Sequence, residues 1–262
     1  MLYWQVLKIQ SLASGSRGNV TYVGSETAGI LVDVGLSLPK LLKRMASAEI
    51  APESINAIVV THEHTDHIQG VASFVKKYGC KVWVHEKVEE CFDNRCKVET
   101  FNGSFEVGDI VVDYFPVPHD SKFCVGYTFE VGDAKISVTT DLGSCPEHVF
   151  ERMRGSQIVL IECNHCTSRL QHNVVYPTWL KRRIAGSKGH LSNMSAAAAV
   201  YRLSTLGVQQ VVLGHLSAEN NSPTLAYSTV VSYLAKQGVA EGVDIFIDVA
   251  TQDQIGGLYV VD

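Results

Sequence analysis

"VVTHEHTDHIQG" (residues 59–70) sets three histidines and an aspartate within six consecutive positions: His62, His64, Asp66 and His67. The stretch begins at the end of an apolar run, "INAIVV". Multiplying the chain's own His and Asp frequencies gives roughly one chance H-x-H-x-D-H per 1,500 sequences of this kind. The apolar run reads as a strand, and a loop at its end can turn several side chains inward together. Neutral imidazole and carboxylate are ligands for zinc and similar divalent ions. Six adjacent residues cannot close a metal site by themselves, because neighbouring side chains diverge. Three further candidates each follow a β-like run: His119 in "VVDYFPVPHDS", Asp141 in "ISVTTDLG" and His215 in "VVLGHLS".

Short β-branched and aromatic runs that end in turn chemistry predict strands in "YWQVLKIQSLA", "NVTYVG", "GILVDVG" and "INAIVV", and near 81–85, 97–101, 110–117, 125–131 and 134–140. Helices are predicted over 37–48 with Ser37 as cap, 68–79 closed by Gly79, 192–207, and 222–238 with Ser222 as cap and Pro223 in the first turn. A less regular stretch follows residue 140, and the buried strand "VQQVVLGH" precedes the last of these helices. Strands "VDIFIDVA" and "IGGLYVV" finish the chain. Each half has strands first and strand–helix alternation later, which predicts an α/β sandwich of two packed sheets with helices outside.

The 262 residues are 46% hydrophobic and 19% charged, an ordinary globular composition with room for a sizeable core. No signal peptide and no membrane span is read, so a cytoplasmic protein is expected. The formal charge of −5 gives the whole molecule no attraction for polyanions. One local basic cluster is Lys181, Arg182, Arg183 and Lys188, which also reads as a solvated helix face. Seven irregularly spaced cysteines are expected to be reduced. "CNHC" (163–166) and "CFDNRC" (91–96) look like halves of zinc sites without matching second pairs. They read better as small residues near strand ends.

H-x-H-x-D-H followed by separate His, Asp and His residues at strand ends resembles the metallo-β-lactamase fold superfamily. "SLASGSRGN", "VGYTF", "GHLSN" (189–193) and "HLSAENNSP" (215–223) resemble its YycJ (WalJ) family, described as metal-dependent exonucleases that act on DNA from the 5′ end. The resemblance implies an αββα fold, two packed mixed β-sheets flanked by helices, in one domain over 1–262. Residues 144–190 are then expected as a substrate-specificity insertion. It also implies two divalent ions, zinc or else manganese or iron. His62, His64 and His119 would hold the first, Asp66, His67 and His215 the second, and Asp141 would bridge them. His64, where the flavodiiron oxidoreductases have Glu, argues against that branch, and Asp141 argues against antibiotic hydrolysis. The chain has no room for the inserted domain of RNase J-like enzymes.

Two such ions about 3.5–4 Å apart share a hydroxide formed near neutral pH, and that hydroxide is the expected nucleophile at phosphorus. Asp66 is expected to orient it or accept its proton. His190, in "SKGHLSN", occupies a position similar to a proposed acid histidine of the PhnP phosphodiesterases and is the candidate proton donor to the leaving alkoxide. Ser192 and Asn193 open a helix whose free N–H groups suit a phosphate. The Gly-punctuated turn with Ser14, Ser16 and Asn19 offers N–H groups, and Lys188 and Arg17 offer charge. Asn164 and His165 are expected to support the site, and His85, His148 and His172 to be structural or surface residues. DNA is the expected substrate. The alternative is a small-molecule hydrolase, either a glyoxalase II-type thioesterase or a cyclic phosphodiesterase, because it would share the same ligands.

Overall fold

The structure, a computed structural model, describes residues 6–92 and 96–262. The first sheet contains β1 (Leu7–Ala13), β2 (Val20–Gly24), β3 (Gly29–Val32), β4 (Ile55–Val59), β5 (Lys81–His85), β6 (Glu99–Phe101) and the last strand, β14 (Leu258–Val261). Their order is β14-β1-β2-β3-β4-β5-β6. The second contains β7 (Phe105–Val107), β8 (Ile110–Pro116), β9 (Val125–Val131), β10 (Ala134–Thr139), β11 (Ile158–Glu162), β12 (Gln210–Gly214) and β13 (Phe246–Val249). Their order is β13-β12-β11-β10-β9-β8-β7.

Both sheets change character at one strand. β3 pairs antiparallel with β2 and parallel with β4, and β10 pairs antiparallel with β9 and parallel with β11. The loops leaving those two strands carry Asp33 and Asp141. Both loops leave the carboxyl ends of their strands, where ligands of α/β sheets commonly sit.

Strand period fixes the layers. Ile30 and Val32 of β3 face the other sheet, while Leu31 packs outward against α1 (Leu38–Ser47) and α3 (Val71–Tyr78). Ile158 and Leu160 of β11 likewise face inward, and Val159 and Ile161 face out. That outer face is covered by α4 (Glu147–Met153), α7 (Asn193–Ser204) and α8 (Pro223–Lys236). Both faces of these strands are buried, so "GILV" and "IVLI" are continuous apolar runs. Burial on both sides hid β11 from the sequence reading, since such a run shows no alternation.

β11 also corrects the expected insertion. It lies between β10 and β12, so the first part of 144–190 belongs to the scaffold. That part is α4, which covers the sheet, and β11; the part after Glu162 carries α5 (Thr167–His172) and α6 (Thr178–Ile184). The helix expected over 68–79 is two helices, α2 (Thr65–Ile68) and α3, which meet at Gly70. A Cβ there would stand 2.1 Å from the Leu36 carbonyl oxygen. Gly79 closes α3 in the left-handed conformation, and the Ser222 side chain caps α8 by accepting from Leu225 N–H, as expected. The half-site "CFDNRC" lies partly outside the described residues. Cys80, Cys124, Cys145, Cys163 and Cys166 are in no disulfide, and among the described residues no metal-competent cluster contains a cysteine and no helix is long and apolar enough to cross a membrane.

Candidate active site

Six strand ends deliver the site. Asp33 follows β3, residues 61–67 follow β4, His119 follows β8, Asp141 follows β10, Glu162 ends β11 and His215 follows β12. Asp33, Asp141 and His215 have φ of 60°, 56° and 54°, and only one other non-glycine among the described residues, Glu49, is left-handed. Such backbone costs about 1–3 kcal/mol per residue and persists where the surroundings enforce it. Here it turns each side chain off its strand and into the crevice.

The seven expected ligands converge. His62, His64 and His119 offer nitrogens all within 4.8 Å of one another, and so do the ligand atoms of Asp66, His67 and His215. Asp141 stands between the two groups. Its Oδ2 is 3.1 Å from His67 Nε2, and its Oδ1 is 3.7 Å from His119 Nε2 and 3.4 Å from His215 Nδ1.

Four of the imidazoles are held by the same device. Each has its Nδ1 tied to a neighbour: His62 to Thr61 Oγ1 at 3.0 Å, His67 to Asp33 Oδ2 at 2.7 Å, His119 to the Gly189 carbonyl at 3.2 Å and His215 to Glu162 Oε1 at 2.7 Å. An imidazole that donates from Nδ1 keeps its lone pair on Nε2, the arrangement of a metal-ligating histidine with its outer partner. Asp33 is itself fixed, accepting from the Thr61 N–H and hydroxyl, both at 2.8 Å. Glu162, fully buried, accepts from both His190 and His215 on Oε1 and from the Leu191 and Leu142 N–H groups on Oε2.

The crevice fits cations. His62 Nε2, His215 Nε2 and Asp141 Oδ2 are buried with no hydrogen-bond partner among the described residues, an arrangement that costs free energy unless something else satisfies them. Burial pushes the His62 imidazole well below its ordinary range, with His67 adding to the effect, so its nitrogen is a lone-pair donor. Burial acts the same way on His67 and His215, but carboxylates outweigh it. Asp141 and Asp33 raise His67 well above its ordinary value, and Asp141, Asp66 and Glu162 push His215 up to about 10. The same negative field favours a metal cation at the facing atoms. Imidazole and carboxylate donors in two groups, with one carboxylate between them, suit a pair of divalent ions.

His190 lies at the rim, its side chain 21% exposed and its ring 5.2 Å from His119 and 5.3 Å from His215. The other expected contacts divide. Ser192 caps α7 by accepting from Ser195 N–H at 3.1 Å. Asn193 is buried, and its side-chain amide bonds to Asn221 and Cys163. Ser16 and Lys188 are exposed on the loops before β2 and before α7. Ser14 accepts from His215 N–H at 2.7 Å, and the Asn19 amide nitrogen lies 3.1 Å from His67 Nε2, so that turn braces two of the expected ligands. Asn164 donates to the His215 carbonyl at 2.9 Å. Of the basic cluster, Arg183 pairs with Asp120, the neighbour of His119. His85 is buried among Phe101, Tyr114 and Phe123, while His148 and His172 bond to carbonyls near the surface. Asp33 and Glu162 were not singled out by the sequence reading.

Residues 29–216 match the model of the beta-lactamase superfamily domain. The chain is 36% identical over 249 residues to the exodeoxyribonuclease WalJ of Streptococcus pneumoniae, covering 90% of this chain and 91% of that one. It is 34% identical over 244 residues to the exodeoxyribonuclease YycJ of Bacillus anthracis, covering 90% and 92%. Among solved structures, the metallo-beta-lactamase fold protein YhfI of Bacillus subtilis superposes with a TM-score of 0.75 at 14% identity, covering 98% of this chain and 100% of that one. The chain belongs to the metallo-β-lactamase fold superfamily and, within it, to the family of WalJ and YycJ.

Proposed function

We propose that the protein is a two-metal deoxyribonuclease that removes nucleotides from DNA ends in the 5′-to-3′ direction, in the cytoplasm. The observation that carries the metal part is the set of Nε2 atoms turned toward one another while their Nδ1 atoms are tied outward. DNA as substrate is supported by the two relatives named as exodeoxyribonucleases, each matched over nine-tenths of the chain.

His62, His64 and His119 would hold one ion, Asp66, His67 and His215 the other, and Asp141 would lie between them. Zinc is the ion proposed, with manganese and iron compatible with the same donors. When bound, the pair supplies a nucleophile at neutral pH and neutralises charge developing on the phosphoryl oxygens. Asp66 orients the attacking group, with His67 and His215 within 3.7 Å of its Oδ2 to hold it. His190 donates the proton that the departing alkoxide requires. Glu162 holds that ring by Nδ1 and leaves Nε2 available for the transfer.

The test joins metal analysis of protein purified without chelator to digestion of end-labelled duplex DNA. Two ions per chain and stepwise release of nucleotides from 5′ ends are expected, with both activity and the second ion lost in Asp66→Asn. Hydrolysis confined to small esters, with intact duplexes, would replace the nuclease by the small-molecule hydrolase.

A further inference from the structure

We infer that a cationic notch beside the active site, lined by Arg17, Lys40, Lys43 and Arg44, binds successive phosphates of a nucleic-acid strand. The inference rests on the nuclease reading and names a surface through which the substrate is held.

Lys40, Lys43, Arg44 and Ser47 fall at helical spacing on one side of α1, while Leu41 and Met45 on the other side are fully buried. The basic side opens onto a cavity of about 400 Å³ that is closed opposite by Arg17, Gln252 and Asp253. In a chain of net charge −5, four cations thus surround one space with a single carboxylate. That carboxylate engages only the arginines: Arg17 Nη2 is 3.0 Å and Arg44 Nη2 4.0 Å from Asp253. Lys40 and Lys43 are exposed and have no ion pair among the described residues. The Arg44 side chain is only 23% exposed, so its guanidinium is placed rather than free to wander.

The notch borders the segment that carries His215. A second cavity, of about 520 Å³, shares Arg17, Gln252 and Asp253 with it and extends to Ser14 and Leu216, on either side of the His215 backbone. The Ser14 hydroxyl accepts the His215 N–H at 2.7 Å. Gln252 joins the two spaces, accepting from Arg17 N–H at 2.8 Å and donating to the Gly18 carbonyl at 2.9 Å. Lys40 to Arg44 rises about 6 Å along α1, which at an axial rise of about 3.4 Å per phosphate on one strand is room for about two successive phosphates. Cations at that scale suit a strand's backbone and carry no base discrimination.

The test compares metal-loaded wild type with Lys40→Glu/Lys43→Glu, and with Lys76→Glu/Lys77→Glu on α3 as a matched charge change. KM for end-labelled duplex DNA is measured between 50 and 200 mM salt. Hydrolysis of bis(p-nitrophenyl) phosphate, which offers no further phosphates, reports on the metal centre. Two lost phosphate contacts flatten the salt slope by about 1.8, so the notch variant loses about twelve-fold less affinity than wild type over that fourfold range. Its KM at 50 mM rises correspondingly, and the α3 variant keeps the wild-type slope. An unchanged slope in the notch variant, or an equal flattening in both variants, overturns the notch while the nuclease stands. Wild type that hydrolyses the small diester and leaves duplexes intact overturns the nuclease reading and the notch with it.

Discussion

His190 Nδ1 lies 2.7 Å from Glu162 Oε1, the same oxygen that His215 Nδ1 approaches at 2.7 Å. One buried carboxylate therefore fixes a proposed metal ligand and the proposed proton donor together. Burial pulls the His190 imidazole down, but Glu162 outweighs it and keeps the ring above its ordinary value, which favours the protonated form a general acid needs. Glu162→Gln preserves the shape and removes the charge. We expect kcat on duplex DNA to fall about 10–100-fold, the usual cost of losing an outer partner. The sign of the pH effect is also set. A general acid works only while protonated, and the variant's His190 titrates lower, so the alkaline limb of kcat moves to lower pH. A pH–rate profile with an unmoved limb would remove His190 from the acid role.

Asp33 does for His67 what Glu162 does for His215, by a contact of 2.7 Å. Asp33→Asn keeps the side chain's size, yet its amide nitrogen can no longer accept the His67 Nδ1–H. About 10–100-fold weaker binding of one ion is expected, while the His62, His64 and His119 group keeps its own. Metal content after dialysis against graded chelator would show a single ion retained over a window in which wild type retains two.

The difference between what was legible and what was not follows from sequence distance. His62, His64, Asp66 and His67 are readable because one loop carries them, and His119, Asp141 and His215 because each ends a β-like run. Asp33 and Glu162 also end such runs, in "ILVDVG" and "IVLIEC". Each is a lone carboxylate whose partner lies 34, or 28 and 53, positions away, so its role exists only after the sheets pack. Asn193 shows the reverse case. Its place at a helix start suits a phosphate, but folding brings Asn221 against it and takes both halves of its amide.

His165 is expected to make stability depend on acid. Burial is the main cause that lowers its imidazole to about 4, with Glu162 opposing it and His190 adding to it. Its Nδ1 is buried with no hydrogen-bond partner among the described residues. In the unfolded chain the ring takes up its proton near pH 6.5. The folded state therefore binds fewer protons between those values. The contribution is complete above pH 6.5 and is lost as pH falls toward 4, by about 2–3 kcal/mol in all. His165→Gln removes the titration. Urea unfolding at pH 7 and pH 4.5 should show a smaller acid loss in the variant, and equal losses would place the acid sensitivity elsewhere.

Gly35 tests the close packing behind the metal-binding loop. A Cβ at this position would lie 1.7 Å from the Asp66 carbonyl oxygen and 2.6 Å from the Asn19 nitrogen. Its φ is not left-handed, so the constraint is space rather than conformation. Gly35→Ala must therefore push the 61–67 loop away from the 14–19 turn. That separates Asn19 N–H from the Asp66 carbonyl, now 2.8 Å apart, and Gly35 N–H from the Asn19 carbonyl at 2.9 Å. Overpacking of this kind costs about 1–3 kcal/mol or more, and the displaced Asp66 weakens its ion as well. At Gly103 a Cβ would meet no atom within 4 Å, so Gly103→Ala should stay within about 0.5 kcal/mol of wild type. Thermal melting with and without chelator separates the two costs, since in Gly35→Ala the chelator-dependent part of the melting temperature should shrink along with the total. A melting curve like that of Gly103→Ala would mean the loop can shift freely, and that Asp66 is not held by its backbone.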